Sequence, residues 1–255
     1  MLEEEFFSHE TAAHLWGLPL PRGQDTAPVL HVTVPAPLRA PRSRGVRGHQ
    51  VREHLVRVVE HRGVRISDPV TTWAMLAGRL SETDLICAGD ALIRDLPDPG
   101  RSLHASRPQP LADRYGVLDV LESGRRPGLA SLRRAAEQLS ERSRSPAETR
   151  TRLVLAAAGL PVPELNLAVE DGDGRSLAEV DLAFPVYRVG VEYEGDHHRT
   201  DRHQFRHDID RIEKLTAHGW RIVRLVTAHV YGDPGEAAHR VRSALIARGW
   251  RESLA

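Results

Sequence analysis

The stretch from Glu179 to His198, EVDLAFPVYRVGVEYEGDHH, constrains this chain more than any other. Apolar and polar residues alternate on both sides of Pro185, and a period of two marks a half-buried strand. Ala178, Val180, Leu182 and Phe184 are expected on one face of the first arm, with Glu179 and Asp181 on the other. Val189, Val191 and Tyr193 share a face of the second arm, with Glu192 and Glu194 opposite. Pro185 falls between the arms, where a missing N–H is tolerated. The expected product is a β-hairpin, apolar on one side and carrying up to four carboxylates on the other.

Like charges held side by side raise one another's pKa and destabilise the fold that holds them. A hard divalent cation with oxygen ligands relieves that repulsion. A half-exposed hairpin with a solvated polar face is the alternative. The cluster runs directly into Gly195-Asp196-His197-His198, which favours the metal site.

Composition sets the outer bounds. With 255 residues there is room for one large domain or two modest ones. Lys and Arg together number 35 and Asp and Glu 35, so any nucleic-acid surface must be a local patch. No apolar run approaches a membrane span, and the start, Met1-Leu2-Glu3-Glu4-Glu5, lacks the basic region of a secretory signal. The single Cys87 excludes an intramolecular disulfide and a cysteine-based zinc site. A cytoplasmic protein without membrane partners is expected. Lys214 is the only lysine, so any catalytic lysine would have to be that one.

Along the chain, Ser8 opens a helix to Trp16, and Leu30–Val34 alternates as a strand stopped by Pro35. Arg39–Arg65 holds eight Arg against two Glu. Within it, Arg39, Arg42, Arg44 and Arg47 are expected in a Pro/Gly loop that tracks phosphates, with Arg42 and Arg44 as nucleic-acid contacts. A solvated loop is the alternative, and the lack of aromatic residues there argues against base stacking. Short strands at 56–59 and 64–66 precede helices starting at Ser67-Asp68-Pro69 and at Glu82. Four prolines in 97–110 mark a linker, and helices are expected at 111–121, 129–142 and 145–158. Next come strand 165–169, an Asp171–Gly174 turn, the hairpin, helix 201–218, strand 221–226 and helix 234–248. In helix 201–218, Phe205, Ile209, Ile212 and Thr216 form the expected central stripe, flanked by Asp208, Arg211 and Leu215. His203, His207, Asp210 and Lys214 fall opposite; the two histidines have metal-ligand spacing but no third ligand of their own.

Asp181, ten further residues and then Glu192-Tyr193-Glu194 resemble the core of the PD-(D/E)XK nucleases. More narrowly, the C-terminal part is similar to the Vsr-related family known as domain of unknown function 559. The likeness is carried by Ser145–Arg150, Ala158-Gly159-Leu160-Pro161, Glu179-Val180-Asp181, Val191–His198, and Asp208 with Arg211. It implies a restriction-endonuclease-like core, ordered α-β-β-β-α-β-α, and a DNA endonuclease dependent on Mg²⁺ or Mn²⁺. Asp181 and Glu192 would ligate the metal with the Tyr193 carbonyl. Glu194, standing where the superfamily carries lysine, would bind a second metal or orient water. His198 would assist, Glu148 would point into the site, and Arg211 would lie at its rim as a nucleic-acid contact.

Ser8-His9-Glu10-Thr11-Ala12-Ala13, His31-Val32-Thr33-Val34-Pro35 and Asp68–Trp73 resemble the family of AbiEi-type antitoxins. Its members usually carry a winged-helix segment upstream, which this chain is expected to lack or to have lost by truncation. The overall expectation is an α/β (α+β) protein: a mixed α/β domain over 1–97, a helical linker region over 98–143 and the nuclease-like domain over 144–255. DNA is the expected partner, and the antitoxin likeness adds a protein partner of toxin–antitoxin type. Two other functions remain open: a non-catalytic antitoxin-like or transcriptional regulator that uses a degenerate nuclease fold, and a structural interaction module.

Overall fold

The computed structural model describes residues 3–21, 29–95, 110–195 and 202–252, with the backbone alone for 202–209. The chain is an α+β protein that divides into two compact units, Met1–Pro146 and Ala147–Ala255.

In the first unit, β1 (Phe6–Phe7) leads through Ser8 into α1 (His9–Trp16). β2 (Leu30–Pro35), β3 (Val46–Val51), β4 (Val58–His61) and β5 (Val64–Ser67) complete a sheet in the order β3-β2-β1-β5-β4. β2 and β3 run parallel, with Thr33 registered against His49. β4 and β5 form a hairpin whose turn residues, Arg62 and Gly63, both have positive φ, as a two-residue turn matching the strand twist requires.

Four helices follow: α2 (Pro69–Leu76), α3 (Glu82–Ile93), α4 (Arg114–Glu122) and α5 (Leu129–Glu137). Asp68 caps α2 by accepting from the Thr71 N–H at 2.7 Å. Phe6, Ile66, Trp73, Leu76, Leu85, Leu92 and Leu132 are fully buried and form the core. The Trp73 indole N–H donates to the Leu85 carbonyl at 2.8 Å, so the ring is buried with its polar atom satisfied. Gly89 is required where α3 meets its neighbours, because a Cβ there would sit 2.5 Å from Leu139 Cδ2 and 3.0 Å from Trp73 Nε1.

Three local expectations change. The helices expected to lie in a linker, α4 and α5, belong to the first unit and bury Val117, Val120, Leu132 and Ala135. Ser8 precedes α1 in extended conformation without capping it; its hydroxyl goes to His9 and Thr33 instead. Arg47 lies on β3 rather than in a loop, while Arg39, Arg42 and Arg44 stay on the exposed connection between β2 and β3. Valines flank the polar residues of β3, and the strand becomes one by pairing with β2, which no local period announces.

The second unit contains α6 (Pro146–Ala157), β6 (Glu164–Glu170), β7 (Ser176–Phe184), β8 (Val189–Glu194), α7 (Arg202–Ala217), β9 (Arg221–Val226) and α8 (Pro234–Ile246). This is the expected order of elements. The sheet runs β6-β7-β8-β9, antiparallel at the first two junctions and parallel at the last, so α7 is a crossover between β8 and β9. On one side, Leu182, Phe184, Val189, Val191 and Leu225 pack with Leu155 of α6 and Val241 and Leu245 of α8. On the other, Val169, Ala178, Val180 and Ala183 pack with Leu215 of α7 and Trp220.

That division corrects the simple hairpin. Val180 joins Ala183 and Leu215, whereas Leu182 and Phe184 join the α6 and α8 side, so the alternation changes phase at Asp181. The neighbouring strand does the same: Asn166 has φ 49°, and the pairing passes from Leu165↔Leu182 to Leu167↔Val180 without it. α7 differs too. Leu215 is fully buried and Thr216 exposed, so the inward stripe centres nearer Arg211 and Leu215 than Ile212 and Thr216. Lys214 is exposed, as its helical angle predicts. Among the described residues, no helix is long and apolar enough to cross a membrane.

Candidate active site

The phase change places Asp181 at the end of the β7–β8 ladder, whose last registered pair is Leu182↔Val191. One further step of that register would set Asp181 opposite Glu192. The Asp181 side chain turns towards β8 instead, and its Oδ2 accepts from the Tyr193 backbone N–H at 3.0 Å. The two expected carboxylates therefore come from adjacent strands, with Asp181 clamped to the residue that follows Glu192.

Glu192 is only 4% exposed. Its two oxygens accept from the Arg211 guanidinium, Oε1 from Nη1 at 3.1 Å and Oε2 from Nη2 at 2.9 Å. Arg211 Nη1 also donates to the Glu179 carbonyl at 3.0 Å, which fixes α7 against β7. A planar fork matched to a carboxylate adds direction as well as charge, and so orients Glu192. Glu194 pairs with Arg224 on β9, the strand parallel to its own; the Arg224 side chain is about half exposed and that of Glu194 about one third. The Tyr193 hydroxyl shares a 3.0 Å hydrogen bond with Thr227 Oγ1.

Glu148 lies in the first turn of α6 and is buried. Its Oε2 accepts from the Asn166 side-chain amide at 2.9 Å. Asn166 is the residue this reading of the sequence missed. It occupies the left-handed conformation that Asn tolerates better than most residues, and it sits where the β6 alternation breaks. A lone polar residue among Leu165, Leu167 and Val169 was the available signal.

The structure thus joins Glu148 to β6, Asp181 to β8 and Glu192 to α7. Among the described residues, these carboxylates do not bring three His, Cys, Asp or Glu ligand atoms within 4.8 Å of one another. His198 and the Asp208, His203 and His207 side chains lie outside the described residues. Arg42 and Arg44 belong to the first unit, Arg211 to the second. Asp181 and Glu192 offer carboxylate oxygens, the donor type that hard divalent cations take.

No family profile matches the chain, and no solved structure matches it. Curated proteins that do match are the uncharacterized protein MT2308 of Mycobacterium tuberculosis strain CDC 1551 / Oshkosh and the uncharacterized protein Rv2248 of strain H37Rv. Each is 34% identical over 122 residues, which is 48% of this chain and 45% of the relative. The chain spans about half the length of the curated relatives it matches.

Proposed function

We propose that the second unit is a Mg²⁺- or Mn²⁺-dependent endonuclease acting on DNA. The observation that carries this reading is Glu192, a carboxylate buried at 4% exposure on β8, with Asp181 beside it on β7 and tied to the next backbone N–H. Burying a carboxylate is costly unless its charge is used or balanced. The order of elements supports the same reading, since it is the one expected of the PD-(D/E)XK core.

In this assignment Asp181 and Glu192 would hold the cation with the Tyr193 carbonyl, and Glu148 and Glu194 are assigned supporting roles by resemblance alone. When bound, the cation would supply charge neutralisation at the phosphodiester and a more acidic water. Each carboxylate has about four lone-pair directions, so Arg211 orients Glu192 while leaving it acceptor capacity. His198 is assigned the helper role by resemblance alone. The test is cleavage of plasmid and linear duplex DNA with Mg²⁺, with Mn²⁺ and with EDTA. Asp181→Ala and Glu192→Ala should abolish metal-dependent cleavage, and activity unchanged from wild type in both variants would end the assignment.

One observation favours a second reading. Arg211 holds both oxygens of Glu192, and Arg224 holds Glu194, as in a structural ion-pair network. A regulator of antitoxin type would keep the carboxylates for architecture and use the fold to bind DNA or a partner protein. DNA binding in EDTA, unchanged in Asp181→Asn and without cleavage under any metal, would select it.

A further inference from the structure

His9, His31 and His49 share no motif spacing, yet the first unit brings them together from three elements. His9 opens α1, His31 lies on β2 and His49 on β3. In the parallel β2–β3 ladder Thr33 is level with His49, so His31, two residues before Thr33, projects from the same face. α1 brings His9 to that face. One ligating atom from each ring lies within 4.8 Å of the other two, and His31 Nδ1 is 3.0 Å from His49 Nε2. The His9 and His49 rings stack with centroids 4.0 Å apart.

The surroundings are built as well. The Thr33 hydroxyl donates to Ser8 Oγ at 2.6 Å, and Ser8 Oγ lies 2.8 Å from His9 Nδ1. The His31 backbone N–H donates to Thr11 Oγ1 at 2.8 Å. Glu10 places Oε2 at 3.1 Å from His31 Nδ1 and Oε1 at 2.5 Å from Arg79 Nε. His31 and Ser8 are buried, while His9, Glu10 and His49 are partly buried, so the cluster has a floor and an open side.

We propose that His9, His31 and His49 form a site for a first-row transition dication, Zn²⁺ in the first instance, with Glu10 as the balancing carboxylate. Three imidazoles and a carboxylate or water are a tetrahedral zinc set. Zinc–nitrogen bonds of about 2.0–2.1 Å put neighbouring ligands roughly 3.3 Å apart, close to the His31–His49 spacing. Ser8 Oγ lies where it would accept from His9 Nδ1–H once a metal took the Nε2 lone pair, the orientation that outer-shell hydrogen bonds impose on metal-ligating histidines. Burial holds the rings neutral, the form that ligates: His9 is pushed down to about 3, with help from His49 and His31. His49 is pushed down to about 4 by burial, then by His31 and Arg79, and His31 is lowered by burial although Glu10 opposes it. The ion would tie the start of α1 to β2 and β3. The proposal is independent of the carboxylate site in the second unit.

The test uses the full chain, stripped with EDTA, dialysed against ZnCl₂, gel-filtered and assayed for metal by mass spectrometry. Wild type should retain one zinc per chain, and His9→Gln and His49→Gln should each lose it while keeping the far-UV circular dichroism of the wild type. Ser8→Ala keeps all three rings and should weaken zinc binding by about 10–100-fold. Co²⁺ should give the intense visible bands of a tetrahedral site in wild type and not in His49→Gln. Asp181→Asn should retain zinc, which separates this site from the carboxylates. Wild type eluting without zinc would overturn the proposal. So would zinc retained by both glutamine variants, or zinc lost only on changing His203 and His207.

Discussion

Replacing Arg211 tests how the second unit holds its central carboxylate. Arg211→Met keeps the length and apolar stem of the side chain and removes both bonds to Glu192, at 3.1 and 2.9 Å, and the 3.0 Å bond to the Glu179 carbonyl. Breaking a buried ion pair from one side costs about 3–5 kcal/mol. The Glu192 side chain is 6% exposed and that of Arg211 32%, so solvent screens the arginine end. The expected cost is therefore at or below the bottom of that range, about 2–3 kcal/mol. Glu192→Gln sets an amide N–H₂ against the guanidinium and should cost about 2 kcal/mol. The double variant loses the pair but strands neither charge, so it should be less destabilised than the sum of the singles, by about 2 kcal/mol. Urea unfolding followed by tryptophan fluorescence and circular dichroism reads all four corners; Trp220 reports directly, packed in the cluster with Leu215 of α7. If Asp181 and Glu192 also hold a divalent ion, Mn²⁺ at a hundred times Kd should stabilise Arg211→Met by about 2.7 kcal/mol, close to the whole loss. A coupling below about 0.5 kcal/mol is what independent sites give, and would refute the claim that Arg211 carries the burial of Glu192.

Asp181→Ala should cost about 1–3 kcal/mol by leaving the Tyr193 N–H without its acceptor; Asp181→Asn should recover most of that stability and none of the metal-dependent cleavage, read by melts and by plasmid nicking. Asn166→Gly should be better tolerated than Asn166→Ala in thermal melts, because alanine adds about 1–2 kcal/mol at a left-handed position while both lose the bond to Glu148. In EDTA, stability should fall on acidification. The folded-state values of His9 and His49, about 3 and about 4, lie below the unfolded value of 6.5, so the unfolded chain binds more protons across that window. His9 then removes up to about 1.4 kcal/mol per pH unit below 6.5, and the more exposed His49 less because solvent screens it, until each folded value is reached; urea midpoints from pH 7 to 4.5 check it, and a flat profile would contradict the burial of the rings. If the β2–β3 connection contacts duplex DNA, replacing Arg42 and Arg44 with Ala should reduce the log–log salt slope of binding by about 1.8, measured by titration at several salt concentrations.

Local signals were enough to reveal the α+β class and the order of elements in the second unit. Alternation before and after Pro185, the Asp171–Gly174 turn and the glycines that end the helices act over a few residues, and each is a steric or solvation preference of the chain itself. The same signals marked Asp181 and Glu192 as crowded carboxylates, and the family resemblance added Glu148. Tertiary structure decided who those partners are. Arg211 reaches Glu192 because the α7 crossover lays it over β8, and Glu148 reaches Asn166 because α6 crosses β6. A period of two could not show that the alternation breaks at Asp181, since the break is shared with Asn166 on the next strand and is set by pairing. The three histidines lay 22 and 18 residues apart in the chain, without motif spacing. Only the parallel pairing of β2 with β3, and the seat of α1 on their face, makes them neighbours, because the closing contacts join residues that no local preference relates.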